Sequence, residues 1–207
     1  MLKVGLTGNI GSGKTFVASI FSTLGIPVFV ADAEAKKLYE REEIKMMLQG
    51  LFGSRIFNKD GGIDRQSLAS MVFNDPENLR RLNQVIHPMV REAFGRWSLE
   101  RNSSPYVLYE AAILFESGYY KDLDKIILVK APQEVRVKRI MERDGAGREE
   151  ILLRMANQWE EEKKIPMADF VINNSGSEML IPQVMEVHRR IMLESGSLDF
   201  GTRPPAM

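Results

Sequence analysis

No cysteine occurs among the 207 residues of this chain. Disulfide staples and thiolate-ligated zinc are therefore excluded, and a reducing compartment such as the cytosol fits. Histidine is represented by His87 and His188 alone. Neither sign of charge prevails: 28 Lys and Arg stand against 28 Asp and Glu. No global basic field points to a nucleic-acid partner, although local patches are compatible with the balance. No apolar run approaches the roughly 18 residues of a membrane span. Internal repeats and low-complexity segments are absent too. What is present, 44% apolar and 27% charged residues, suits a water-soluble globular domain with room for inserted subdomains. The N-terminus reads as a core strand, which is incompatible with a signal peptide. A cytoplasmic protein is expected.

The chain is organised around its first 24 residues. Leu2 to Thr7 reads as a short buried strand, and Phe16, Val17, Ile20, Phe21 and Leu24 recur at helical spacing. Between them stands Gly8-Asn9-Ile10-Gly11-Ser12-Gly13-Lys14-Thr15. Strand, Gly-x-x-x-x-Gly-Lys-Thr, helix is the P-loop arrangement. The glycines permit backbone conformations and close approaches that a Cβ would obstruct. Loop N–H groups can then surround phosphate oxygens at a helix N-terminus whose dipole favours anions. Lys14 brings a mobile charge to the β and γ phosphates, and the Thr15 hydroxyl can ligate Mg²⁺.

Val28 to Val30 reads as a second buried strand, and the alternation predicts a parallel sheet with ligands at the carboxyl ends of its strands. Asp32 would stand on that edge. Its carboxylate can orient or deprotonate an acceptor hydroxyl, or it can serve as the N-cap of a helix from Ala33 to Tyr39. Residues 40 to 104 are dominated by helical patterns, Ile44–Phe52, Arg65–Phe73 and Leu79 to about Leu99. Asp64 and Asp75-Pro76 look like helix starts, and Asn58 to Gly62 like a turn. This is a helical insertion suited to a second substrate. His87-Pro88 inside it predicts a kink or restart, with His87 either structural or facing the acceptor. Tyr106 to Tyr109 is a strand ending at Glu110, which could reach a magnesium shell or simply terminate the strand. Ile113 to Phe115 reads as apolar packing or the wall of an acceptor pocket. Lys125 to Val129 is a further strand.

Arg136, Lys138, Arg139 and Arg143 follow on one helix, with Gly145 and Gly147 before Arg148 and Arg154. Arg139 and Arg143 share a face. The segment is either a solvated basic face or a mobile lid that clamps phosphates. Trp159 to Lys164 reads as a charged return helix, Ala168 to Ile172 as the last strand, and Met179 to Ile191 as a helix with an apolar core face. Gly196 to Met207 is expected to be a disordered tail.

In this order the residues resemble the dephospho-coenzyme A kinase family of P-loop kinases, to about Ile191. The resemblance rests on Leu6 to Lys14, Ala31-Asp32, His87-Pro88, Leu114-Phe115-Glu116, Arg139 and Arg143, Gln158, Ala168-Asp169 and Asn174. It implies ATP-dependent phosphorylation of the 3′-hydroxyl of dephospho-coenzyme A, with Mg²⁺. It also implies an α/β P-loop kinase fold: a parallel sheet flanked by helices, a helical acceptor-binding insertion and a lid. The expected parts are a nucleotide core (1–39, 105–140 and 165–195), an acceptor domain (40–104) and a lid (141–164), before the tail (196–207). Gly11, Ser12, Gly13, Lys14, Thr15, Phe16 and Asn174 would hold ATP, Thr15 also serving the metal. Asp32, Lys36, His87, Glu110 and Phe115 would face the acceptor, and Asp32, Lys14, Arg139 and Arg143 would carry catalysis. The chain departs from the family at Val30, where an aspartate is usual, at Lys36, usually arginine, and at Ala112-Ile113, usually Pro-Leu. Lysine at 36 keeps the charge but loses the bidentate geometry of arginine. The competing readings are a P-loop kinase of another small acceptor, such as a nucleoside monophosphate, and a GTP-binding switch. The second would want Asn-Lys-x-Asp on a strand edge, and Asn58-Lys59-Asp60 has the wrong spacing.

Overall fold

A computed structural model describes residues 1–73 and 75–197. The chain divides into two compact units, Met1–Phe29 with Arg101–Met207, and Val30–Glu100.

The first unit is built on β1 (Leu2–Thr7), β2 (Val28–Val30, whose last residue begins the second unit), β3 (Tyr106–Glu110), β4 (Lys125–Lys130) and β5 (Phe170–Asn173). Their order in the sheet is β2-β3-β1-β4-β5. β1 runs parallel to β3 and β4, and β4 to β5. Leu6 lies opposite Glu110, Thr7 opposite Leu128 and Lys130 opposite Asn173, so the carboxyl ends share one edge. Side chains alternate across a strand. Val4 and Leu6, Tyr106 and Leu108, Ile127 and Val129, and Phe170 and Ile172 thus join one apolar cluster. Phe21 of α1 (Lys14–Thr23) and Val184 and Ile191 of α9 (Leu180–Glu194) complete it. Phe21 meets Tyr106 edge-on, with centroids 6.4 Å apart. Complete burial of such a ring contributes on the order of 2–3 kcal/mol. Between β4 and β5 come α6 (Gln133–Asp144), α7 (Arg148–Ala156) and the four-residue α8 (Glu161–Lys164).

The second unit holds α2 (Ala31–Leu38), α3 (Glu42–Phe52), α4 (Arg65–Phe73) and α5 (Pro76–Leu99). Asp75 caps α5, its carboxylate accepting from Glu77 N and Asn78 N, and Asp64 does the same for Gln66 N and Ser67 N. Asn58 closes the turn before α4 by accepting from Asp60 N and Gly62 N.

Several expectations are corrected. α5 passes through Pro88 without a restart. Leu82, Ile86, Val90 and Phe94 are buried four apart along one face, whereas Pro88 is exposed on another. Packing of that stripe outweighs the single backbone bond that proline removes. The return helix shortens to α8, leaving Trp159 and Glu160 outside it, and the last strand shifts to Phe170–Asn173. In α9 only Val184, Val187 and Ile191 are buried; Met179, just before the helix, and Ile181 are exposed. His188 is partly buried, its Nδ1 2.7 Å from the Tyr106 hydroxyl. Apart from Gly196 and Ser197, the expected tail lies outside the described residues. No helix among the described residues is long and apolar enough to cross a membrane.

Candidate active site

Residues 8–15 connect the carboxyl end of β1 to α1. Gly8 has φ 152°, and a Cβ there would lie 2.2 Å from the Val129 carbonyl oxygen. Gly13, the N-cap of α1, has φ 95°, and its Cβ would lie 2.2 Å from Asn174 Nδ2. Both positions combine a left-handed backbone with a backbone or amide neighbour too close for a side chain, so glycine is demanded twice over. Ser12 N donates to the Asn9 carbonyl at 3.0 Å, which turns the loop. Lys14 is buried, and its Nζ donates to the Gly8 carbonyl at 2.8 Å, folding the ammonium back over the loop. Thr15 and Phe16 are exposed at the start of α1, whose first turn contains no acidic residue. The positive end of the helix dipole is therefore reinforced by a lysine and opposed by no carboxylate of that turn.

Arg139 and Asn174 meet beside this loop from two other elements. Arg139 Nη2 donates to the Asn174 carbonyl (3.0 Å) and to its Oδ1 (3.3 Å). Asn174 Nδ2 in turn donates to the Ser12 carbonyl at 2.7 Å. Arg139 Nη1 is buried without a hydrogen-bond partner among the described residues. It lies 4.0 Å from the point where a Gly13 Cβ would stand. Cationic donors thus converge at the same helix end as the loop amides, a donor set suited to the oxygens of a triphosphate. Arg143, one turn further along α6, is exposed and makes a two-bond ion pair with Asp144 (2.7 and 2.9 Å). Its neighbouring guanidinium holds the Asp144 carboxyl below the ordinary range. The structure brings Arg139 to the loop and pairs Arg143 elsewhere.

Glu110 is buried at the carboxyl end of β3. Phe115 is also buried, its ring packed against Tyr120 with centroids 5.3 Å apart. This matches apolar packing and offers no surface for a pocket wall. In the helical unit, Asp32 and Lys36 are both exposed on α2. The cap reading of Asp32 is corrected: the helix starts at Ala31, Val30 is its N-cap, and no side chain caps it. His87 is partly buried, which lowers its pKa, and the charge of Arg91 acts the same way while that of Asp32 opposes it. An open depression of about 520 Å³ in this unit is lined by Arg55, Gln66, Ser67, Ser70 and Met71. None of these five was singled out from the sequence.

Sequence reasoning also missed Asn9, Glu116 as a partly buried anchor, and Lys164. Lys164 sits in a run of charged residues that reads as solvated, yet it is 0% exposed. Nothing in that run distinguishes Lys164 from its neighbour Lys163.

A parallel sheet with a glycine loop, a buried lysine and an arginine gathered at one helix N-terminus defines a P-loop nucleotide-binding fold of the kinase type. Comparison with known proteins narrows this. The sequence model of the dephospho-CoA kinase family matches residues 2–179, and the chain belongs to that family. It is 38% identical over 187 residues to the dephospho-CoA kinase of Bacteroides fragilis, covering 90% of this chain and 91% of the relative. A crystal structure from Thermus thermophilus superposes with a TM-score of 0.81 at 39% identity, over 91% of this chain and 96% of that one. The dephospho-CoA kinase of Campylobacter jejuni follows, with a TM-score of 0.66 and 28% identity, over 95% and 98%.

Proposed function

We propose that this protein transfers the γ-phosphoryl group of ATP to the 3′-hydroxyl of dephospho-coenzyme A, giving coenzyme A. The observation that carries the reading is the convergence of Lys14, Arg139 and the loop amides at the N-terminus of α1, on a chain of this family. Phosphoryl transfer asks the protein for positioning and charge neutralisation more than for covalent chemistry. Residues 8–15 hold the phosphates, with Asn174 bracing the loop from Ser12. Lys14 and Arg139 offset the charge that spreads over the transferred group. Arg143 exchanges Asp144 for phosphate oxygens when ligand arrives, as one residue of a lid over 141–164. Asp32 orients the acceptor hydroxyl and draws its proton, while Lys36 and His87 contact the acceptor. Glu110, at the strand edge, serves the water shell around the phosphates.

Among the described residues no group of three or more His, Asp or Glu could hold a metal ion. The exposed Thr15 hydroxyl at the phosphate end of α1 nevertheless suits an ion carried in by the nucleotide, which keeps most of its waters. The Thr15 hydroxyl would hold Mg²⁺ there, and the ion would supply neutralisation of phosphate charge. The reaction needs only small soluble substrates, and the cysteine-free chain fits the cytoplasm; neither a membrane nor a nucleic acid enters the reading.

The test is ADP release, coupled to an indicator reaction, with dephospho-coenzyme A as the only acceptor. Turnover is expected with it and not with nucleoside monophosphates. Turnover with a monophosphate alone would overturn the assignment.

A further inference from the structure

The tip of the phosphate loop is gripped from outside the sheet. Asn9 is buried; its Nδ2 donates to the Trp159 carbonyl at 3.1 Å, and its Oδ1 accepts from Lys164 Nζ at 2.6 Å. Lys164 Nζ also lies 2.6 Å from Glu116 Oε1, which accepts from Trp159 N as well. The other oxygen, Glu116 Oε2, is buried and accepts no hydrogen bond among the described residues. Next along the loop, Ile10 N donates to Gln158 Oε1 at 2.8 Å, while Gln158 Nε2 donates to the Ala112 carbonyl at 3.2 Å. The Ile10 side chain packs on Val137, Ile140 and Ile151, the small core shared by α6 and α7. Two consecutive loop residues are thus tied to the segment after β3 and to the segment after α7 at once.

A buried ion pair is a poor means of gaining stability, because an apolar pair of the same shape does as well. What a charged network with several directed hydrogen bonds supplies is a single fixed geometry. Here that geometry is delivered to Asn9, whose carbonyl accepts from Ser12 N and so sets the turn of the loop. We propose that Lys164 is a positioning residue for nucleotide binding: with Glu116 and Asn9 it clamps the tip of residues 8–15 in the conformation that receives phosphates. Lys164 acts through Asn9 and does not touch the nucleotide. The proposal rests on the reading of residues 8–15 as the phosphate site.

The probe is Mg·ADP titrated by calorimetry into the full-length protein, beside thermal melting and hydrogen exchange of residues 8–13. Lys164→Met leaves a buried carboxylate unpaired, so both melting temperature and ADP affinity should fall, the affinity by about tenfold or more. Because that variant could fail through folding alone, Lys164→Met with Glu116→Gln removes both charges. It should recover most of the melting temperature while ADP binding stays weak and exchange at 8–13 stays fast. Asn9→Ala keeps the Lys164–Glu116 pair and should weaken ADP with little change in melting. Native ADP affinity in the double variant or in Asn9→Ala would overturn the clamp. Lys14→Ala separates the two readings. If the native protein binds ADP and Lys14→Ala does not, a tight-binding double variant sinks the clamp alone. If the native protein binds no ADP, the phosphate-site reading falls, and the clamp with it.

Discussion

In the sheet-bearing unit the groups assigned to phosphate are main-chain amides of a loop whose glycines leave no room for a Cβ, and side chains that are buried or braced. Asn174 ties Arg139 to Ser12, and Lys14 bonds back to Gly8. In the helical unit the groups assigned to the acceptor are side chains carried on helix surfaces. Asp32 and Lys36 are exposed and four apart on α2, with no cap bond at its start. The contrast matters for what a substitution does. Phosphate recognition is inseparable from the local fold, because the same backbone geometry makes both. Acceptor chemistry is separable, because an exposed carboxylate contributes charge to the substrate and little to packing.

The largest effect that could break this contrast is expected at Lys14. Lys14→Ala should reduce turnover by about a hundredfold or more, corresponding to on the order of 3 kcal/mol of transition-state stabilisation, in a protein that still folds. Steady-state kinetics with a circular-dichroism control measures this, and near-normal turnover in a folded variant would remove Lys14 from the mechanism.

Asp32→Asn should have the next largest effect. Asparagine fills the same space but supplies no base, so turnover should fall roughly tenfold to a thousandfold. The lower end is expected, since a largely dissociative transition state needs little help from a base. Melting and ADP binding should stay native, as the side chain caps nothing. If the variant turns over normally, the carboxylate that serves the acceptor must be sought at Glu110.

The smallest effect compares the two histidines, one in each unit. Burial is the main cause that lowers the pKa of both His87 and His188 from the ordinary value of 6.5. The unfolded chain then takes up these protons before the folded one does. The stability held by the neutral imidazoles is complete above about pH 6.5 and is lost as pH falls through the folded values. Melting temperature should therefore drop as pH falls below about 6.5, and His87→Gln and His188→Gln should each flatten part of that slope. An unchanged slope in both variants would refute the burial account.

Much of the phosphate end was legible because its requirements are local. Gly8, Gly13, Lys14 and Thr15 stand in one stretch, each residue type answering a conformational or electrostatic need at its own position. Asp32 was legible as a candidate but not as a role, because its cap reading depended on whether α2 began at Ala31 or two residues later. Helix ends are settled by packing as much as by propensity. Of the two outcomes expected at Pro88, the restart is absent for the same reason: Leu82, Ile86, Val90 and Phe94 keep α5 on its neighbours across the missing bond.

By itself the sequence determined the strand–loop–helix proposed to receive phosphate, the parallel alternation around it, the helical insertion, and the kinase family. These depend on periodicity, glycine and capping chemistry, all of which act over a few residues. Only the tertiary structure decided which polar side chains support that loop. Asn9 and Lys164 are 155 positions apart, and Arg139 and Asn174 are 35 apart. It also decided that Arg139 reaches the loop while Arg143 turns to Asp144. A charged residue reads the same in sequence whether it is solvated or buried against a partner, because that partner is chosen by the packing of distant segments.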